Sequence, residues 1–258
     1  MSGAPVSRRL GKEAVLCGAM ALLAMTFAAG AVSGAYAISL PQLWNVLGSL
    51  GSESPEHLVF LNIRLPRLIL GVAAGAGLGM AGTLMQGLFR NPLADPGLIG
   101  ISSGAALAAG VTIVLGPWLW PALPRTLGSW ALVTMAFGGG FLVTLLIYGL
   151  SRSEGGTRMA LMLLAGIAIN ALAGAGLGLL SVVATDEQLR SLQFWLLGSL
   201  GGARWSAVVL VSVAVLLSCW AAASLALPLN AIALGEAQAA LLGVGVGRTN
   251  RRAIGLPG

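Results

Sequence analysis

Charge is scarce in this chain, and so are the residues that usually do chemistry. Asp, Glu, Lys and Arg make up 9% of its 258 residues, against about 25% in an ordinary soluble domain. Its one lysine, Lys12, is followed by Glu13, so no phosphate-cradling GxxxxGK[ST] loop can be written anywhere. The one histidine, His57, leaves HExxH zinc chemistry and histidine relays without their residues. Two cysteines, Cys17 and Cys219, each lie inside an apolar stretch and read as small hydrophobes, not as a disulfide or metal pair. No catalytic constellation and no metal site is expected, and the chain does not read as an enzyme.

What is present is apolar surface. The chain is 57% hydrophobic, with a mean hydropathy of +0.92. Its charges cluster and leave the uncharged intervals 14–52, 68–89, 96–124, 126–151, 159–185 and 205–235. Each exceeds the about 20 residues needed to cross a hydrocarbon core of about 30 Å. A membrane β-barrel would instead alternate over segments of about ten residues. The fold class is therefore all-α: a polytopic transmembrane helical bundle, read as one domain over 1–258. The isoelectric point near 10.7 does not imply nucleic acid, because the basic residues sit at segment ends and form no basic face.

Six spans follow, at roughly 14–37, 66–88, 97–117, 128–150, 159–183 and 206–227. Ala35-Tyr36-Ala37 resembles a signal-peptidase site, but the apolar run before it is longer than a usual signal core, and an uncleaved first span is expected. With the N-terminus cytoplasmic, the inner segments hold Arg8, Arg9, Lys12, Arg90, Arg152, Arg158, Arg248, Arg251 and Arg252, nine of the fourteen basic residues. That bias supports the orientation. Trp118, Trp120, Trp130, Trp195 and Trp205 then mark outer boundaries. The stretch 188–203 is too short to span and reads as an external interfacial or re-entrant helix.

Two spans carry small residues four apart: Gly71, Gly75 and Gly79 in one, Gly166, Asn170, Gly174 and Gly178 in the other. Such ridges let helices approach closely in lipid, and packing within the chain is expected of them. No charged residue falls in the middle of a span. That argues against a secondary transporter, which keeps costly intramembrane carboxylates or histidines as relays.

Three polar stretches rise above this background. Arg64 and Arg67 bracket Pro66, which is favoured in a first helical turn, so two guanidiniums are expected at the outer end of the second span. They could snorkel to lipid phosphates or dock carboxylates of an external partner. At the inner end, RNPLADPG reads as a tight turn, with Asp95 capping a helix that Pro96 starts. Residues 233–252, ALGEAQAALLGVGVGRTNRR, hold a short helix from Glu236 to Leu242, with Ala237, Ala240 and Leu241 on one face and Gly243 as its stop. An apolar helix in a cytoplasmic loop reads as a docking knob for a cytosolic subunit.

Taken in order, RLPR with the glycine-rich run after it, MQGLFRNPLADPGLIGISSGA, FWLLGSLGGARW and LGEAQAALLGV resemble the permease subunits of type II ABC importers. These are the FecCD-like permeases for ferric siderophores, haem and vitamin B12, and the resemblance runs from about residue 36 to the end. It implies a bundle of about ten helices in the complete member, with six and the coupling loop (231–250) visible here, so the chain is expected to be C-terminally incomplete. It also implies a multi-pass protein of the bacterial inner membrane that pairs with a second permease copy, with the path between them. Two cytosolic ATPase subunits would bind the ATP and Mg, this chain having no cofactor of its own, and an external substrate-binding protein would deliver the cargo. By resemblance, Arg64 and Arg67 match the arginines that receive that protein's carboxylates. Leu234, Gly235, Glu236, Ala237, Ala240, Leu241, Leu242 and Gly243 match the ATPase-coupling segment, and Gly155, Gly156 and Thr157 a cytoplasmic gate. The expected cargo is an iron chelate, haem or a ferric siderophore, with cobalamin as the alternative.

Overall fold

The computed structural model describes residues 11–48, 54–122, 130–153, 156–157, 159–233, 235–243 and 245–255. In chain order the elements are α1 (Lys12–Val32), α2 (Leu40–Gly48), α3 (Pro55–Val59), a π-helical turn (Phe60–Arg64) and α4 (Leu65–Phe89). A 3-10 turn (Pro96–Ile99), α5 (Ile101–Val114), α6 (Gly116–Leu119) and α7 (Trp130–Ser151) follow. A two-residue antiparallel hairpin, β1 (Arg152–Ser153) with β2 (Gly156–Thr157), precedes α8 (Met159–Val183) and α9 (Asp186–Leu197). The remaining helices are α10 (Trp205–Ala223), α11 (Ala226–Ala233), α12 (Glu236–Leu241) and α13 (Val246–Gly255).

Among the described residues, five helices are long and apolar enough to cross a membrane: Lys12–Val32, Pro55–Phe89, Trp130–Ser151, Met159–Val183 and Trp205–Ala223. Large apolar side chains such as Leu16, Met25, Leu78, Leu172, Val182 and Leu216 stand exposed on them, as lipid-facing residues must. Cys17 is exposed among them and Cys219 half-buried, and both are free thiols. Three hydroxyls within the spans are spent locally: Thr83 on the carbonyl of Gly79, Thr144 on Gly140 and Ser181 on Leu177. Bonding to the preceding turn hides a polar group that lipid could not solvate.

The expected third span, 97–117, is broken. The Asp95 carboxylate accepts the N–H of Gly97 at 2.6 Å and Pro96 takes the first helical position, as the sequence suggests. These signals start only a four-residue 3-10 turn, which Gly100 ends at φ +80°. The helix that follows, α5, has 14 residues, about 21 Å at 1.5 Å per residue. It stops at Leu115, ahead of the four-residue α6.

The chain divides into two compact units, Met1–Ala73 with Leu200–Ser212, and Ala74–Ser199 with Val213–Gly258. The first has a small core of Ala31, Ile38, Val46 and Phe60. Its α2 starts on a capping box: the Ser39 N–H donates to Gln42 Oε1 at 2.8 Å, and the Gln42 N–H returns to Ser39 Oγ at 3.4 Å.

In the second unit a core of Leu84, Met85, Leu88, Ile99, Ile147, Met162, Leu225, Leu229 and Ile254 joins the ends of several helices. Helices α5 and α7 cross closely there. A Cβ on Gly139 would lie 2.6 Å from the Gly104 carbonyl oxygen, and one on Gly104 2.9 Å from that of Gly139. Backbone meets backbone at that point, which only glycine permits. The stretch expected as an interfacial helix over 188–203 forms α9, which is shorter. Thr185 and Gln188 close a capping box at its start, and Gln188 Nε2 donates to the Val114 carbonyl at the end of α5, 3.1 Å away.

Candidate functional site

The second span begins earlier than the position of Pro66 suggests, and that changes the meaning of RLPR. Ser54 caps α3 by accepting the His57 N–H at 3.3 Å, and Pro55 takes the first position there. The helix then runs from Pro55 to Phe89, so Pro66 lies inside it and is fully buried. A proline inside a helix has no N–H to give and crowds the preceding turn. The five-residue π turn Phe60–Arg64 absorbs it, the Leu65 N–H donating to the Phe60 carbonyl. In that register the Leu61 carbonyl would pair with residue 66, which has no N–H. The indole Nε1 of Trp205 donates to it instead, at 3.1 Å.

Arg64, expected as an outward docking cation, points inward. It is 7% exposed, and its Nη1 donates to the carbonyls of Ala31 at 2.6 Å and Val32 at 2.9 Å, its Nη2 to that of Tyr36. Ala31 and Val32 close α1, a helix with no basic residue in its last turn. Their carbonyls have no intrahelical donors and carry the negative end of the dipole. The side chain thus caps a helix that ended 32 positions earlier. Gly34 makes room for it, since a Cβ there would lie 2.8 Å from Nη2. Nor does Arg64 face the positive end of its own helix, because that end lies at Pro55.

Arg67, three positions on, is exposed and donates to the Gly201 carbonyl at 3.1 Å. Both arginines line a cavity of about 300 Å³ that also holds Ser33 and Tyr36. The Tyr36 hydroxyl donates to Glu56 Oε1 at 3.0 Å. That hydrogen bond raises the phenol above its ordinary pKa, with desolvation and the negative charge of Glu56 adding to it.

RNPLADPG is a turn, as its composition suggests. Arg90 adopts φ +52°, and the Asn91 N–H returns to the Gln86 carbonyl at 3.2 Å. This is a Schellman closure with arginine where glycine is usual. Asn91 Oδ1 then accepts the Leu93 N–H at 3.0 Å.

The segment expected to meet the ATPase forms the expected short helix, Glu236–Leu241. It is flanked by Gly235 at φ +125° and Gly243 at φ +78°, and Gly243 stops it as expected. Leu241 and Leu242 are 88% and 67% exposed, while Ala239 is fully buried. The buried side is therefore that of Ala239, and Leu241 projects from the surface. Leu234 lies outside the described residues, and the side chains of Glu236, Ala237 and Ala240 are not described. After the segment comes α13, a helix within the stretch expected as a loop; it buries Thr249, Asn250, Ala253 and Ile254. Of the residues expected to form a gate, Gly156 and Thr157 make up β2 against Ser153 and Arg152, whereas Gly155 lies outside the described residues.

The small-residue ridges are not uniform. A Cβ on Gly166 would overlap the Leu98 carbonyl, and one on Gly71 would sit 3.5 Å from Leu200, an ordinary contact. At Gly75, Gly79, Gly174 and Gly178 nothing among the described residues comes within 4 Å. Among the described residues, then, Gly166 makes a close approach, whereas those four present faces without a close neighbour. Asn170 stands beside Gly166 on the broken segment, its Nδ2 donating to the Gly97 carbonyl at 3.2 Å. Its Oδ1 is buried without a partner among the described residues.

Comparison with known proteins agrees with these features. Residues 22–256 match the FecCD transport family. The chain is 43% identical to the hemin transport system permease protein of Yersinia pestis, over 92% of this chain and 69% of that one. It is 36% identical to a cobalamin import system permease of Halobacterium salinarum, over 78% of this chain and 52% of that protein. A molybdate import system permease of Haemophilus influenzae is 31% identical, over 89% and 67%. Across these curated relatives the chain spans between about half and about two thirds of their length. A solved ABC transporter, described as of the metal-chelate type and inward-facing, matches 94% of this chain and 72% of its own. Its TM-score is 0.77, with 29% identity. The chain belongs to the FecCD transport family.

Proposed function

We propose that this chain is the membrane-spanning subunit of an ATP-driven importer that carries an iron chelate, with haem as its cargo, across a bacterial inner membrane. The observation that carries the cargo is the 43% identity to a hemin permease across nearly the whole chain. The more distant cobalamin permease, at 36%, keeps cobalamin as the second reading. In this proposal the N-terminus is cytoplasmic, and a second permease copy completes the path. An external binding protein delivers cargo, and ATP with Mg is bound by separate cytosolic ATPase subunits.

The exposed pair Leu241 and Leu242, on a short helix fixed between two left-handed glycines, suits a knob gripped by those subunits. Closure of the ATPases would move this knob and switch the path between outward- and inward-facing states. On the outer side, Arg67 keeps an exposed guanidinium for an acidic partner, whereas Arg64 is committed to its three carbonyls. A path lined by small and apolar residues would suit a bulky cargo held without tight ligation.

The test is reconstitution of the complete permease with its ATPase and binding protein in vesicles. ATP-dependent uptake is expected for haem, and at a lower rate or not at all for a ferric siderophore and cobalamin. Uptake that proceeds without ATP would overturn the importer reading, and preference for cobalamin would overturn the cargo.

A further inference from the structure

One cavity of the second unit is lined by neither the RLPR arginines nor the Glu236–Leu241 helix. It is about 540 Å³ and opens where α10 ends, against α13. That is within the about 300–1,000 Å³ of sites that hold small organic ligands. Trp220, Ala221, Ala223 and Leu225 give it an apolar wall, and Ser224 and Arg252 also line it. The Ser224 hydroxyl is already used, donating to the Ala221 carbonyl at 2.6 Å. Among the described residues Arg252 is the one charged side chain lining the cavity; it is exposed and makes no ion pair there. Water is a poor occupant for such a wall, and an uncharged hydrocarbon would leave the guanidinium unanswered.

The surroundings select the ligand. Helix α10 is a membrane-crossing segment by length and composition, and Leu216, Leu217 and Trp220 stand exposed along its outer surface. An acyl chain lying on this surface leads into the cavity without crossing a polar barrier. Trp220, in the last turn of α10, is the residue type that settles at headgroup depth. The sequence of α13, VGRTNRRAIG, carries three arginines and no acidic residue, so the field at this end of the bundle favours net negative charge. Basic pockets beside membrane helices take anionic headgroups for this reason.

We infer that the cavity between the end of α10 and α13 is a binding site for an anionic phospholipid. The phosphate pairs with Arg252, and the first part of an acyl chain lies over Trp220, Ala223 and Leu225. The shared chemistry is a phosphate ester, and the lipid is distinguished from a free phosphate by its need for the apolar wall. The site does not depend on which cargo the importer carries.

The test places the full chain in nanodiscs of phosphatidylcholine containing one tenth phosphatidylglycerol, and counts retained lipid by native mass spectrometry after transfer to detergent. Phosphatidylglycerol is expected to be retained over phosphatidylcholine. Arg252→Gln should weaken retention about fivefold, the equivalent of one arginine near an anionic surface. Arg204→Gln, at an exposed arginine elsewhere, should leave it unchanged. Ala223→Phe, an exposed position where a ring can enter the cavity without core strain, should also reduce retention and so separates lost binding from misfolding. Displacement by millimolar inorganic phosphate would overturn the lipid in favour of a free anion. Equal retention by both arginine variants would overturn the site. So would cross-linking of Ala223→Cys to a second copy of the chain, with no lipid retained, since protein would then fill the cavity.

Discussion

Trp205 donates its indole N–H to the carbonyl of Leu61 at 3.1 Å, the acceptor that Pro66 leaves without a helical donor. Loss of this bond in Trp205→Phe should cost about 0.5–1.5 kcal/mol, the usual net worth of one hydrogen bond, because the Leu61 carbonyl is left without its donor. The two positions are also expected to be coupled. Pro66→Ala restores an N–H that can compete for Leu61, so Trp205→Phe should cost less in that background. A double-mutant cycle on thermal unfolding in detergent measures this. Strict additivity would show that the π turn has another cause.

Arg64 and Arg67 should separate cleanly. Arg64→Met leaves the carbonyls of Ala31, Val32 and Tyr36 without their donor and should destabilise the first unit by about 2–4 kcal/mol. Arg64→Lys should recover only part, since an ammonium lacks the planar fork. Gly34→Val, whose Cβ meets Nη2 at 2.8 Å, should resemble Arg64→Met. Arg67→Met should cost under about 1 kcal/mol, as expected for an exposed side chain. If Arg64→Met left the melting temperature unchanged, the capping role would be wrong.

The glycine ridge of α8 should prove unequal to substitution. Gly166→Ala drives a methyl into the Leu98 carbonyl, which is backbone and cannot turn aside, so a loss of about 1–3 kcal/mol is expected. Gly174→Ala meets nothing within 4 Å and should be neutral or slightly stabilising for the isolated chain, by helix propensity. Melting temperatures and folded yield of the two variants decide between this and a uniform ridge.

Tyr36 gives the first unit an alkaline dependence with a definite sign. Its folded pKa is raised, chiefly by the hydrogen bond to Glu56, so the protonated phenol is the form that the fold stabilises. That contribution is complete below the unfolded value of about 10 and is lost as pH rises through the higher folded value. The stability advantage of the native chain over Tyr36→Phe should therefore be present at pH 8 and fade above about pH 10. A difference that stays constant across this range would show that the hydroxyl is not linked to folding.

Much of the architecture could be read from composition, because a hydrocarbon solvent permits few solutions. Uncharged runs fixed the long helices, and turn residues fixed the stop at Gly243 and the turn at RNPLADPG. The misreadings share one cause: a residue's partner lay far away in sequence. Pro66 reads as a helix start because proline is common there, yet a carbonyl-to-indole contact across more than a hundred residues lets it sit inside a helix. Arg64 reads as exposed because it is charged, but the free carbonyls that receive it belong to another helix. The ridge pattern marks where small residues stand, not which neighbour uses them. That is why Gly166 and Gly174 look alike in sequence, and why the Gly104–Gly139 crossing is hidden in it. Its signal is only a glycine triplet at 138–140 far along the chain from Gly104.

The broken segment Pro96–Leu119 bears on how the protein is made. Its longest helix reaches only about 21 Å, short of a hydrocarbon core of about 30 Å, and irregular backbone flanks it at both ends. Lipid tolerates such backbone only where protein or a water-filled cavity covers it. Released singly from the insertion machinery, this segment would be a poor lodger in the bilayer. Its glycine contact with α7 and the Asn170 bond to Gly97 give it the shelter it lacks alone. Insertion of this part of the chain is therefore a matter of delayed pairing: α5 must wait at the membrane until α7 and α8 have been synthesised.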